Sequence, residues 1–136
     1  MKARKPLTLL CAPLLATGIA ACGSTVSTSF KGERHAVAQT ISNLQSHATA
    51  LEAKKICGED LASATVARLD TAAGGCKKAI ETQLKEIDSF EVTVGSVQIS
   101  GDKATARVKS IHTGKNRVDT LTLVREGGRW KISGLG

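Results

Sequence analysis

The chain contains no tyrosine, one tryptophan (Trp130) and two phenylalanines (Phe30 and Phe90) in 136 residues. Its core must therefore be built from Val, Ile, Leu and Ala, and a ligand site made of stacked rings is not expected. The same scarcity removes the aromatic platforms on which single-stranded nucleic acids stack, so no nucleic-acid partner is expected. Long single-sign charge runs are also missing. From Glu33 onward acidic and basic residues are mixed, which speaks against a disordered chain. The formal net charge of +7 overstates the basicity of any folded part, because Lys2, Arg4 and Lys5 stand in the first five residues. Finally, the apolar run from Leu7 to Ala21 is too short for a comfortable transmembrane helix.

That run has a different reading. A basic start, an apolar stretch and a small-residue end are the three parts of an export signal. The segment Ile19-Ala20-Ala21-Cys22 resembles a bacterial lipobox, in which an aliphatic and two small residues precede a cysteine. The resemblance implies lipid attachment to the Cys22 thiol and cleavage just before it. Its one departure is Ile19, where leucine is more usual. Residues 1–21 are thus expected to be a lipoprotein signal peptide. Residues 22–32, with the polar run Gly23-Ser24-Thr25-Val26-Ser27-Thr28-Ser29, are expected to be the lipidated cysteine and a flexible spacer. Two or three acyl chains, each worth about 0.8 kcal/mol per buried methylene, would hold the protein on the extracytoplasmic face of a cell membrane.

Export sorts the four cysteines. Cys11 leaves with the leader and Cys22 takes the lipid, so Cys57 and Cys76 remain as an expected disulfide. A metal site would need further ligands, and the three histidines show no metal spacing. Neither cysteine lies in a CxxC motif, which argues against redox catalysis.

Residues 33–136 are expected to form one α+β domain. Val37, Ile41, Leu44, Ala48 and Leu51 recur at four- and three-residue steps and predict a helix over 33–54. Glu59 and Asp60 suit the start of a second helix carrying Leu61, Thr65 and Leu69, which Gly74-Gly75 ends. A third begins near Cys76 and buries Ile80, Leu84 and Ile87. The period then falls to two. Val92 and Val94, then Val97 and Ile99, alternate with polar residues, with a bulge expected at Gly95-Ser96. Turns at 100–102, 113–116 and 127–128 separate strands carrying Ala104, Ala106 and Val108, then Leu121 and Leu123, then Trp130 and Ile132.

Helices followed by a four-stranded meander ending in Val124-Arg125-Glu126-Gly127-Gly128-Arg129-Trp130-Lys131-Ile132 resemble the NTF2-like superfamily, and especially its small exported lipoproteins. The resemblance implies helices packed on a curled antiparallel sheet, with a pocket between the two layers. Dimers are common in that superfamily, so it also admits a homodimer. It transfers no function.

No catalytic residue and no cofactor are expected. Enzymes of this fold such as ketosteroid isomerase pair an acidic base with a tyrosine, and tyrosine is absent here. Glu91 and Asp119 fall on strands and are expected on the solvent side, while His35, His47 and His112 are scattered. Two basic features are candidates for envelope contacts. Arg107 and Lys109 alternate with Ala106 and Val108, and Arg129 and Lys131 with Trp130 and Ile132, so one sheet face is expected to be basic and suited to anionic headgroups or wall polymers. Lys77 and Lys78 at a helix start after two glycines could join free amides in holding an anion. The functional expectation is a non-enzymatic binding module at the cell envelope, for a protein or a small apolar ligand. The alternative is an accessory subunit contacting an integral-membrane or cell-wall complex without a ligand.

Overall fold

The structure is a computed structural model that describes residues 30–87, 90–112 and 114–136. The expected leader, Cys22 and nearly all of the spacer lie outside the described residues.

Helix α1 (Glu33–Thr49) buries Val37, Ala38, Ile41 and Ala48, the face that its periodicity marks. It stops five residues short of the expected end. Leu51 takes a left-handed φ of 57°, which lets the Glu52 amide donate to His47 O at 2.8 Å and the Leu51 amide to Ala48 O at 3.1 Å. This paired closure is a Schellman cap, normally made by glycine. A leucine in that role gives no local stop signal.

A short helical turn, α2 (Ala53–Lys55), runs into a π-helical turn at Ile56–Asp60. Glu59 and Asp60 therefore do not open a helix. Leu61 is extended and bridges Ile132 in parallel, with the Ala62 amide donating to Ile132 O at 2.8 Å. The chain thus covers part of the outer edge of the sheet before α3 (Ser63–Leu69) begins. Helix α4 (Gly75–Lys85) follows, and a disulfide joins Cys57 in the π turn to Cys76 in its first turn.

Strands β1 (Glu91–Ser100), β2 (Lys103–His112), β3 (Lys115–Glu126) and β4 (Arg129–Leu135) form one antiparallel sheet in the order 1-2-3-4. The register of β1 shifts between Val94 and Ser96, which places the expected bulge at Gly95. The β3–β4 turn needs positive φ at two successive residues, and Gly127 (55°) and Gly128 (77°) supply it. Val92, Val94, Val97, Ala104, Ala106, Val108, Leu121, Leu123, Trp130 and Ile132 face inward onto Val37, Ala38 and Ile41. At one end of this core the Trp130 Nε1–H donates to Glu33 at 2.8 Å. Arg125 lies 4.7 Å over the indole ring and pairs with the same carboxylate at 2.7 Å, so the ring's polar edge is satisfied where it meets water.

Candidate functional site

At the other end the two layers do not close. Helix α4 packs mainly on α2, α3 and the π turn, and a cavity of about 340 Å³ is left between α1, α4 and the inner face of the sheet. Its wall is mostly aliphatic: Ile41 and Leu44 from α1, Ile56 and Leu61 from the linking segment, Ile80 and Leu84 from α4, Leu121 and Ile132 from the sheet. Phe90 is the one aromatic ring in the lining among the described residues. The opening is marked by Leu135, 73% exposed, and by exposed Gln83.

Four lining side chains are polar: Thr65, Gln83, Ser110 and Asp119. The Thr65 hydroxyl already donates to Ser133 O at 2.8 Å. Asp119 corrects the expectation of a solvent-side position. It sits opposite Val108 in the β2–β3 ladder and shares parity with inward Leu121 and Leu123, so the pleat turns it to the cavity side. Its side chain is 30% exposed, and its nearest cation is Arg117, 3.7 Å away and 65% exposed. Glu91 is exposed on the outer face, as its phase predicts. Among the described residues no cluster of His, Cys, Asp and Glu could hold a metal ion.

The sequence profile of a family described as "Putative lumazine-binding", an NTF2-like family, matches residues 26–134. The chain belongs to that family. Its domain is NTF2-like, with helices on a curled four-stranded sheet as the meander and its terminal Trp-Lys-Ile strand suggest. A solved chain titled as a substituted Rd1NTF2_05 superposes with a TM-score of 0.49 at 16% identity, covering 74% of this chain and 96% of that one. No curated protein matches in sequence.

The NTF2-like scaffold treats the expected basic residues unequally. Arg107 and Lys109 are exposed on the outer face of β2, between Ser96 and Thr120 and between Thr93 and Val118. Lys131 is not free: its ammonium donates to the carbonyls of Gly58 and Glu59 and pins the π turn to β4. It shares a row with Val124 and Lys103, four residues along β2 from Arg107, or about 13 Å. Arg129 is exposed at the start of β4, on the rim of a polar groove with Glu33, His35 and Glu59. The four cations do not form one patch. Where Lys77 and Lys78 were expected to hold an anion, the Cys76 amide donates to Asp70 at 2.8 Å, the Gly75 amide to Ala72 O at 3.0 Å, and Lys77 pairs with Glu81 at 3.6 Å. The chain's own Asp70 carboxylate thus takes one of the amides of that helix start.

One pair was missed altogether. His47 Nδ1 and Asp60 Oδ2 lie 2.7 Å apart, with Asp60 only 2% exposed. They tie the end of α1 to the π turn. Burial pushes the Asp60 carboxyl above its ordinary pKa, and the His47 hydrogen bond draws it only part of the way back. The folded state therefore holds this proton more tightly than the unfolded chain does, so the contribution of Asp60 is most favourable below the unfolded pKa. It is lost as pH rises through the folded one. Asp60→Asn has no such proton. Urea unfolding of both proteins should show the stability of the wild type, relative to Asp60→Asn, falling as pH rises through the ordinary carboxylate range and above it. A difference independent of pH would remove the argument.

Proposed function

We propose that the protein is a membrane-anchored binding module that holds one small, mainly apolar ligand between its helices and its sheet, at the outer face of the membrane and without chemistry on it. The observation that carries this reading is the cavity itself, whose volume falls at the lower end of ordinary ligand sites and whose wall is aliphatic with a few polar groups. An apolar void open to solvent is costly to leave in a domain with so small a core, and a ligand would restore the missing contacts. The family description names lumazine, a compact bicycle rich in ring nitrogen and carbonyl oxygen. Gln83, Ser110 and Asp119 could meet some of those atoms, but the rest of this wall favours a ligand with more hydrocarbon.

The test is native mass spectrometry of the full-length protein recovered from the membrane of its own host, with lumazine added to a second sample. A retained small molecule, or a mass shift with lumazine, supports the reading. An empty protein in both samples sinks it and directs attention to an accessory role beside a membrane complex. Leu121→Trp adds an indole on the cavity wall. It should weaken ligand retention at least about tenfold while the domain stays folded, because bulk placed in an existing void avoids most of the cost of overpacking.

A further inference from the structure

The cavity has a direction, and one charge. Its lining residues Ile41, Ile56 and Ile132 are buried hydrocarbon, while the polar lining residues Ser110, Asp119 and Gln83 are, like Leu135, partly or fully exposed, and Asp119 lies two residues along β3 from Leu121, the ladder partner of Leu135. Among the described residues that line it, Asp119 alone is charged. Arg117, the cation nearest to that carboxylate, is not part of the wall, is 65% exposed, and meets it at a long 3.7 Å. Such a pair is largely screened by water and leaves Asp119 able to accept further hydrogen bonds.

From this placement, and resting on the binding function proposed above, we infer that the ligand is a single-tailed amphiphile with a cationic nitrogen head: the tail fills the aliphatic interior and the head donates to Asp119, with Ser110 and Gln83 beside it. A carboxylate head of the same length would meet the Asp119 charge across a partly desolvated rim and be repelled. An uncharged hydroxyl head would lose only the charge-assisted part of the hydrogen bond.

Three short probes of equal chain length separate the cases: octylammonium, octanol and octanoate, titrated by calorimetry into residues 23–136 with the disulfide formed. This segment contains every described element and contact of the fold, which begins at Phe30. Octylammonium should bind about ten- to a hundredfold more tightly than octanoate, the ratio expected of a hydrogen bond to a charged group, with octanol between them. Asp119→Asn, a near-isosteric change at a partly exposed site, should erase the preference for the amine and leave octanol unchanged. Arg117→Gln should keep or enlarge it. Octanoate binding as well as octylammonium, or a preference that survives Asp119→Asn or collapses in Arg117→Gln, would overturn the assignment while the cavity remains a ligand site. Failure of all three probes, octanol included, would overturn this inference alone if the protein retains a native molecule or lumazine, and would remove the cavity function with it if the protein retains neither.

Discussion

Replacing Cys57 and Cys76 together by alanine is expected to destabilise the domain by about 3 kcal/mol, the loop-closure value for a bridge spanning 19 residues. For a domain of this length that corresponds to a melting temperature lower by roughly 12–24 °C. The effect should also be visible in binding. Helix α4 makes its contacts with α2, α3 and the π turn, and it supplies Ile80, Gln83 and Leu84 to the cavity wall. With the bridge open, that wall is held by Leu84 and Ile80 packed on the cluster of Ala48, Ala53 and Ile56. Thermal melts followed by circular dichroism, with and without reductant, measure the first effect, and titration of octanol measures the second. A loss below about 1 kcal/mol would mean that the reduced chain keeps its loop closed by other contacts. Loss of stability with unchanged binding would mean that α4 stays docked without the bridge.

The sheet was readable because each strand has one wet face. Val92, Ala104, Ala106, Val108 and Leu121 each sit between polar neighbours and all are buried, and the phase change at Gly95 marked its own bulge. Asp119 was in fact legible by the same rule, since two-residue steps back from Leu123 pass through Leu121 to reach it. Its polarity concealed the phase. The helical half was harder to read for a physical reason. Its boundaries depend on long-range partners: the Leu51 cap forms without glycine, the extended Leu61 is held by Ile132, and Asp60 is buried because His47, thirteen residues earlier, receives it. No local pattern encodes those contacts. The cavity is likewise a matter of what the helices fail to fill, and apolar residues lining a void read the same in sequence as apolar residues in a packed core.

The cationic surface shows the opposite failure. Alternation placed Arg107, Lys109 and Arg129 on exposed positions, but it gave no information on what lies within reach of a long side chain. Lys131 finds two carbonyls of the π turn, and so contributes to holding the segment that carries Ile56 and Leu61 into the cavity wall. A basic residue that reads as surface charge here serves the fold around the site.

Cys22→Ser should abolish lipid attachment completely, the largest single change predicted for this protein. The thiol is the atom that takes the lipid in a lipobox, and a serine hydroxyl cannot form the thioether. One acyl chain gives only marginal membrane binding and two or more give stable anchoring, so the difference is between a firmly held and an unanchored domain. Labelling with an alkyne palmitate analogue should mark the wild type and not the variant, whose mass should show residues 1–21 still attached because cleavage follows lipidation. Label on Cys22→Ser, or an unlabelled wild type, would remove the anchor from the account. Such an anchor would also bear on the ligand. Eight residue steps separate Cys22 from Phe30, which packs against the core; even fully extended they span at most about 29 Å. The domain would then remain within one domain diameter of the bilayer, where single-tailed amphiphiles are most concentrated. A soluble form, residues 23–136 without the lipid, should therefore keep its intrinsic affinity for octylammonium in solution and yet carry less retained ligand when recovered from cells. Equal ligand loads on anchored and soluble forms would show that the membrane is not the source.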